Sequence, residues 1–298
     1  MEKIDFIGDL HGRATMLSAM LEKLGYARVD GVYKHETRKV CFLGDFIDRN
    51  GELDEHRTLL DIVMGMVRTG SAVAVMGNHE YNALAYNTKH EGGYIRKHSA
   101  KNNAQHRAFL EAYKDDEKAK GVVLEFFYSL PMWRDFGDCR AVHACWDGES
   151  IEYLSTVTDK GMINETFLKD ASVEGSKMHK AVNLILKGAK VELPDGTTFK
   201  DGMGSIRTST RVKWWNTNAS CLSEILLPEG LCVVGSVPTT IPKYAGSNKP
   251  CFIGHYELKG ETSLVAANIA CLDKAGAVLA YCFGGEEVLF RGNFEEVV

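Results

Sequence analysis

Three apolar runs in the first 80 residues end in the same way, and this repetition constrains the fold more than any other feature. Each run closes on glycine and continues with polar residues, giving GDLHG from Gly8, GDFIDRN from Gly44 and GNHE from Gly77. Apolar residues at helical spacing lie between the runs and predict helices over about 16–24 and 54–68. Strands that alternate with helices indicate an α/β fold, in which functional residues gather beyond the carboxyl ends of the strands.

The remaining strand predictions follow the same apolar pattern. They are Lys3–Gly8, Lys39–Gly44 and Ser71–Gly77 in the first half, then Arg140–Cys145, Leu231–Gly235, Cys251–Gly254, Leu264–Asn268 and Ala277–Phe283. The close spacing of the last four predicts antiparallel pairing. Residues 150–225 lack a clear strand–helix alternation, although they contain a predicted helix at Ser176–Leu186. We therefore predict an α/β (α+β) fold in which residues 1–298 form one domain with a cap-like insertion at about 150–228.

Composition excludes several classes of protein. The 298 residues carry a formal net charge of −5, which disfavours bulk nucleic-acid binding. No apolar run approaches the roughly 18 residues of a membrane-spanning helix, so no membrane partner is expected. The 8 cysteines form no C-x-x-C pair, and several lie in apolar runs, which favours reduced, buried thiols and a cytoplasmic chain.

Six polar residues at strand ends form a candidate metal site. They are Asp9, His11, Asp45, Asn78, His143 and His255. Their oxygen and nitrogen donors, without thiolate, suit Mn, Fe or Zn better than a soft metal. If one carboxylate bridges, such a set can hold two ions about 3.5–4 Å apart, as in phosphoester hydrolysis. Taken singly, each residue is more typical of a turn, a cap or a satisfied core histidine.

The three blocks together resemble a known family. GDLHG, GDFIDRN and GNHE are similar to the signatures GD-x-HG, GD-x-x-DRG and GNHE of the phosphoprotein-phosphatase branch of the calcineurin-like metallophosphoesterases. His143 and Gly254-His255 match the two later histidine blocks in order. The resemblance implies a β-sandwich flanked by helices with a long insertion. It also implies that a metal-bridging water attacks phosphorus directly, without a phosphoenzyme.

The resemblance also implies a role for each site residue. Asp9 and His11 bind the first metal, Asp45 bridges both, and Asn78, His143 and His255 bind the second. We expect two divalent ions, Mn first, with Fe, Zn, Ni and Mg as alternatives. His79 protonates the leaving oxygen, Asp48 orients the His79 ring, and the forked donors of Arg49 hold a phosphate oxygen.

Several positions depart from the eukaryotic pattern of this family. Asn50 replaces the glycine after Asp-Arg, Ala144-Cys145-Trp146 follows His143, and Ile253-Gly254 precedes His255. The second phosphate-binding arginine has no clear counterpart. These departures favour the bacterial members, which include diadenosine tetraphosphatases, small protein phosphatases and polynucleotide-end phosphatases.

The insertion carries a basic and aromatic stretch of candidate substrate-binding residues. Its cations are Arg207, Arg211 and Lys213, beside Trp214 and Trp215. One interpretation is a platform for further phosphates and a nucleobase. The other, slightly favoured because tryptophan is usually buried, packs both indoles on the core and leaves the charges solvated. Strand spacing would place Arg207, Ser209 and Arg211 on one face.

Three hypotheses for function follow. The first is a metal-dependent phosphoesterase acting on a nucleotide, such as a dinucleoside polyphosphate, or on another small phosphate compound. The second is a phosphoserine/phosphothreonine protein phosphatase, which needs a phosphoprotein partner. The third is a non-catalytic binding module, and the complete set of site residues argues against it.

Overall fold

The computed structural model describes residues 3–49, 55–194, 196–200, 204–231 and 233–298. Asn50 and Asp54, the first residue of a predicted helix, lie outside these ranges. The helices are α1 (Ala14–Lys23), α2 (His56–Arg68), α3 (Asn78–Asn87), α4 (Ala100–Gln105), α5 (Arg107–Ala112), α6 (Glu117–Tyr128), α7 (Gly148–Ser155), α8 (Glu165–Ala171) and α9 (Lys177–Lys187). No helix within the described ranges is long and apolar enough to cross a membrane.

The strands fall into two larger sheets and several short hairpins. They are β1 (Lys3–Ile7), β2 (Ala27–Val29), β3 (Val32–Lys34), β4 (Arg38–Phe42), β5 (Ala72–Ala74), β6 (Lys89–His90), β7 (Gly93–Tyr94), β8 (Trp133–Asp135), β9 (Arg140–Val142), β10 (Lys190–Glu192), β11 (Phe199–Lys200), β12 (Ile206–Arg207), β13 (Ser209–Arg211), β14 (Cys251–Ile253), β15 (Ile269–Cys271), β16 (Asp273–Lys274), β17 (Ala277–Phe283) and β18 (Phe294–Val297). The first sheet has the order β16-β17-β1-β4-β5, with β18 also pairing β17, and the second has the order β15-β14-β9-β8.

The two sheets pack face to face. Alternate residues of each strand point to opposite faces of its sheet, so one set of side chains from each sheet lies between the two. Phe6 of β1 stacks on Phe252 of β14 with ring centroids 3.7 Å apart. Cys41, Leu279 and Tyr281 join the same buried layer between the sheets. The opposite faces of these strands pack with the helices in a second core. The architecture is therefore the predicted sandwich flanked by helices.

Two helices show how local sequence sets the element bounds. In α2, Leu59, Leu60 and Val63 form a buried stripe at helical spacing. Helix α9 begins where the Ser176 hydroxyl accepts the His179 N–H at 3.0 Å. It ends before Gly188, whose φ of 75° suits glycine.

Parallel pairing in both sheets brings the functional loops to common edges. Strand β1 pairs in parallel with β4, and β4 in parallel with β5. Strand β14 also pairs in parallel with both β9 and β15. The predicted antiparallel pairing is therefore wrong for β14 and β15, because the chain between them is long enough for a crossover connection. Strand β17 does pair antiparallel, but with β1, β16 and β18, none of which is another of the four predicted runs.

Two predicted strands are absent from the described residues. At Leu231–Gly235 the backbone N–H and C=O of Val233 bond to the Ser223 hydroxyl at 2.7 and 2.6 Å, so a side chain replaces a neighbouring strand. The run Leu264–Asn268 instead forms a turn, since the Val265 and Ala266 N–H groups both donate to the Ile269 carbonyl. The strand begins only at Ile269.

Candidate metal centre and phosphate site

All six predicted ligands lie at strand ends and meet at one place. Asp9 and His11 follow β1, Asp45 follows β4, Asn78 begins α3 after β5, and His143 and His255 follow β9 and β14. All six residues are buried. Potential ligand atoms of His11, Asp45 and His79 lie within 4.8 Å of one another, and so do those of Asp45, His143 and His255. Asp45 is common to both groups, as a bridging carboxylate requires.

Asp9 and Asn78 complete the cluster through shorter side-chain contacts. The Asp9 Oδ2 atom lies 3.8 Å from His11 Nε2. The Asn78 Oδ1 atom lies 3.2 Å from His143 Nε2. The structure therefore brings every predicted ligand into one cluster.

Three imidazoles each donate one ring N–H to a backbone carbonyl. His11 Nδ1 bonds to the Ile47 carbonyl at 3.0 Å, His143 Nδ1 to that of Leu43 at 2.7 Å, and His255 Nε2 to that of Lys187 at 3.0 Å. A carbonyl only accepts, so these nitrogens carry the proton and, in a neutral ring, the other nitrogen offers its lone pair. The Arg49 Nη1 group also lies 3.4 Å from His11 Nε2, and arginine only donates.

Those lone pairs face carboxylates. His11 Nε2 lies 3.9 Å from Asp45 Oδ2, and His143 Nε2 lies 3.4 Å from Asp45 Oδ1. Burial and the nearby His79 lower the pKa of His11 to about 3, so its ring is neutral at physiological pH. Acceptors that face one another in a buried site repel unless a proton, a donor group or a metal cation lies between them. The donor set thus fits divalent metal ions, which bind through lone pairs of this kind.

Crowded carboxylates give a second reason for a cation. Burial, with the negative charges of Asp273 and Asp45, raises the pKa of Asp9 well above its usual value. Burial lowers the pKa of His143. The charge of Asp45 and the hydrogen bonds of His143 to Asp45 and to the Leu43 carbonyl outweigh burial and raise that pKa overall. A proton and a divalent cation therefore compete at the His143 nitrogen that faces Asp45.

The loops that present these residues have strained backbones. Positive φ angles, unfavourable for residues other than glycine, occur at His11 (45°), Asp45 (51°), Asp48 (69°), Arg49 (66°) and His255 (68°). Such angles persist only where neighbouring contacts hold them.

Glu80 supplies several of those contacts. Its buried carboxylate accepts the backbone N–H groups of Asp45 at 2.8 Å, Phe46 at 2.8 Å and Gly77 at 2.9 Å. Burial and the Asp45 charge raise the pKa of Glu80 to about 7. The sequence analysis did not assign this role to Glu80. A Glu three residues after the N-cap of a helix, here Gly77, is a recognisable signal for it.

His79 and Asp48 form a hydrogen-bonded pair beside the cluster. His79 Nδ1 lies 3.1 Å from Asp48 Oδ2, and His79 Nε2 lies 3.8 Å from Asp45 Oδ2. Burial lowers the pKa of His79, but the charge of Asp45 and the hydrogen bond and charge of Asp48 outweigh it and raise that pKa to about 9. The hydrogen bond from Nδ1 to Asp48 leaves Nε2 as the ring nitrogen that faces the cluster.

Arg49 lies between the ligand cluster and two acidic residues. Its Nη1 atom is 3.7 Å from Asp273 Oδ2 and 3.8 Å from Glu257 Oε1. Sequence reasoning missed Asp273, which is buried and follows β15. The strand-end rule would have found Asp273 if the strand had been placed correctly.

A cavity of about 1340 Å³ opens beside the cluster and is lined by residues of the insertion. His255 and Arg49 contribute to its wall, together with Lys190, Arg207, Ser209, Arg211, Lys213, Trp215 and Tyr256. The single strand expected for 207–211 is wrong. The strand is interrupted at Thr208, whose carbonyl accepts the Leu193 N–H at 2.7 Å. Arg207 and Arg211 therefore lie on separate strands.

The remaining insertion residues divide between core and surface. Trp214 is fully buried and donates its Nε1–H to the Ala144 carbonyl at 3.1 Å. Trp215 packs edge-on against Tyr256 with centroids 4.7 Å apart, and it also lines the cavity. Lys213 pairs with Glu229 at 2.5 Å, so an acidic neighbour offsets its charge.

The fold brings together a cluster of carboxylate, amide and imidazole groups, which is a donor set typical of proteins that bind divalent metal ions. The chain belongs to the calcineurin-like phosphoesterase family, whose sequence profile matches residues 2–189. This membership confirms the resemblance and the fold predicted from the sequence. Members of this family depend on metal ions, and the ligand groups described above are candidate sites for them.

Two curated relatives share part of their sequence with the chain. The bis(5'-nucleosyl)-tetraphosphatase PrpE (asymmetrical) of Oceanobacillus iheyensis is 32% identical over 133 residues, covering 44% of this chain and 50% of its own. The protein of the same name from Halalkalibacterium halodurans is 28% identical over 144 residues, covering 47% of this chain and 55% of its own. The chain thus spans about half the length of the curated relatives it matches.

One solved structure shares the fold at low identity. It is a protein serine/threonine phosphatase from Saccharomyces cerevisiae with similarity to human phosphatase PP5. It has a TM-score of 0.51 and 12% identity, covering 99% of this chain and 78% of its own. At that identity the likeness concerns the fold alone.

Proposed function

We propose that the protein is a dinuclear metallophosphoesterase. Asp9 and His11 would hold the first ion, Asp45 would bridge, and Asn78, His143 and His255 would hold the second. The observation that carries the proposal is that Asp45 belongs to two ligand groups, with histidine lone pairs turned toward its carboxylate. The mixed oxygen and nitrogen donors favour Mn, with Fe, Zn, Ni or Mg as alternatives.

When bound, the ions would supply Lewis acidity and neutralise charge on the phosphoryl oxygens. The chain's own residues do the rest. Arg49, held by Asp273 and Glu257, presents forked donors to a phosphate oxygen. His79 gives its Nε2 proton to the leaving oxygen, while the bond from its Nδ1 to Asp48 fixes the ring. Arg211 lines the same cavity as Arg49 and is a candidate for the second phosphate-binding arginine.

We propose that the preferred substrate carries more than one phosphoryl group. Lys190 and Arg211 are directly opposed across the β10–β13 pair, an arrangement that is repulsive until an anion binds. Burial, Arg211 and Arg207 lower the pKa of Lys190. A nucleotide such as a dinucleoside polyphosphate supplies several phosphates for these cations and a base for Trp215. The name of the curated relatives supports this choice.

We also propose that residues 1–298 act as one domain, with about 150–228 as a cap on the site. Contacts between the cap and the site support this organisation. The His255 ring bonds to the Lys187 carbonyl at the end of α9, and Trp214 bonds to Ala144 beside His143. The described cysteines are free thiols, as expected of the cytoplasmic protein that we propose.

A hydrolysis panel tests the proposal. Purified protein loaded with Mn, Fe, Zn, Ni or Mg is assayed on p-nitrophenyl phosphate, diadenosine tetraphosphate and a phosphoserine peptide, with Asp45→Asn as the control. We expect turnover of the first two substrates and loss of both in the variant. Exclusive turnover of the peptide would favour the protein phosphatase. No turnover with any metal would favour a binding module and overturn the proposal.

A further inference from the structure

His106 contacts the candidate acid pair from a distant part of the chain. It lies between α4 and α5, 58 residues after Asp48, and only 3% of its surface is exposed. Its Nδ1 atom is 3.1 Å from Asp48 Oδ1 and 3.0 Å from Asp48 Oδ2. Its ring stacks on Phe109 with centroids 5.0 Å apart and tilts against Tyr86 at 5.1 Å. The ring is thus held by aromatic packing and faces a single carboxylate.

The chemistry of these contacts fixes which atoms donate. An ionised carboxylate only accepts, so His79 and His106 both present an Nδ1–H to Asp48. Burial raises the pKa of Asp48, but the hydrogen bonds from both rings outweigh it and hold that pKa well below its usual value. Asp48 Oδ2 therefore receives one N–H from each imidazole, at 3.1 Å from His79 and 3.0 Å from His106.

The other ring nitrogen of His106, Nε2, makes a histidine unfavourable at this position. His106 Nε2 is buried and has no hydrogen-bond partner among the residues that the structure describes. A phenylalanine of similar shape would fill the same aromatic cage without burying an unpaired polar atom. The contribution that only histidine makes here is its hydrogen bond to Asp48.

Asp48 needs such support because its backbone is strained. Asp48 and Arg49 have consecutive positive φ angles of 69° and 66°. The Asp48 N–H donates to His56 Nε2 at 2.9 Å, so His56 holds the backbone while His106 holds the carboxylate. A shift of Asp48 would rotate the His79 ring and displace Arg49, which follows directly.

We propose that His106 is a positioning residue, which holds the Asp48 carboxylate so that His79 aims its Nε2 proton at the leaving oxygen. The role rests on the proposed phosphoesterase function. It predicts that losing His106 impairs reactions in which the leaving oxygen must be protonated. Reactions with a good leaving group should be much less sensitive.

The test compares three variants on two substrates. His106→Phe keeps the ring and removes the donor, and His106→Asn restores an N–H near the position of Nδ1. His98→Phe is the matched control, since His98 lies on the same segment and bonds to the Tyr86 carbonyl instead of Asp48. Each is assayed with phenyl phosphate, a poor leaving group, and with p-nitrophenyl phosphate, a good one.

We expect His106→Phe to lower kcat on phenyl phosphate about 10–100-fold, as loss of an orienting partner typically does, and on p-nitrophenyl phosphate less than about 3-fold. His106→Asn should recover most of the loss, and His98→Phe should match the wild type. Equal losses on both substrates in His106→Phe, or no recovery in His106→Asn, would overturn the role. If the phenylalanine variant does not fold, His106→Leu takes its place, because leucine has the same branching at Cγ as asparagine and lacks the donor.

A spectroscopic measurement separates this role from the proposed function. In protein without added metal, the His79 Nδ1–H proton should give a downfield NMR resonance that moves in His106→Phe and stays in His98→Phe. A wild-type protein inactive on every phosphate ester would overturn the proposed function. An unmoved resonance in His106→Phe would overturn the positioning role whatever the activity.

Discussion

Gly254→Ala should disable the ligand cluster without changing any ligand. A Cβ atom at Gly254 would lie 2.0 Å from Asp9 Oδ1 and 3.1 Å from Asp9 Cγ. Contacts of this kind need at least about 3 Å, so the Asp9 carboxylate must move by roughly 1 Å. The His255 N–H, which donates to Asp9 at 3.2 and 3.1 Å, anchors that carboxylate and would lose its acceptor.

The consequences follow from the scale of the displacement. Metal–oxygen bonds of about 2.0–2.2 Å do not survive a shift of roughly 1 Å. Misplacement by that distance typically costs about 100-fold in rate. Overpacking should lower the free energy of unfolding by only about 1–3 kcal/mol, because Gly254 has no positive φ that alanine would strain.

The assay measures bound Mn by mass spectrometry, kcat on p-nitrophenyl phosphate and the melting temperature. Gly246→Ala is the control, because Gly246 lines the cavity beside the cluster and a Cβ there meets nothing within 4 Å. We expect the Gly254 variant to remain folded, to bind fewer than two ions and to lose about 100-fold in kcat. Full metal content with unchanged activity would refute the placement of Asp9 as a ligand.

Three further variants test the role of His79, the cations of the cavity and the buried ion pair of Asp5. His79→Asn should keep its metal content and lose about 100-fold or more on phenyl phosphate but far less on p-nitrophenyl phosphate, and equal losses would exclude the acid role. Lys190→Gln should raise KM about 10-fold for diadenosine tetraphosphate and much less for p-nitrophenyl phosphate. The exposed Lys180→Gln is the control. An effect on KM no larger than that of the control would exclude Lys190 as a ligand of a further phosphoryl group. Arg38→Ala removes the main partner of the fully buried Asp5 and should lower the free energy of unfolding in urea by about 3–5 kcal/mol, whereas a change below about 1 kcal/mol would contradict this.

The fold was predictable where apolar runs end in polar residues. Strands β1, β4, β5 and β17 are buried runs of this kind, and the structure places each within two or three residues of its prediction. The runs at 231–235 and 264–268 look alike in sequence but are not strands. Side-chain and turn hydrogen bonds satisfy their backbones, and no local pattern reveals which partner a backbone group will find.

The candidate site was predictable to the same extent. The six proposed ligands sit at strand ends, so one rule collected them. Glu80 was overlooked because its bonds are to backbone groups of another loop. His106 lies in a polar segment with no periodic signal, and only the packing of α4 and α5 brings it to Asp48. Long-range contacts of this kind depend on tertiary structure, which spacing in the sequence does not encode.

The metal stoichiometry of Mn-loaded protein, read together with its electron paramagnetic resonance spectrum, tests whether the centre is dinuclear. We expect two Mn ions per chain with an exchange-coupled spectrum. We also expect Asp45→Asn, which removes one charge from the shared carboxylate, to weaken the binding of both ions and to abolish the coupling. One uncoupled ion in the wild type, or two coupled ions retained in Asp45→Asn, would contradict a dinuclear centre bridged by Asp45.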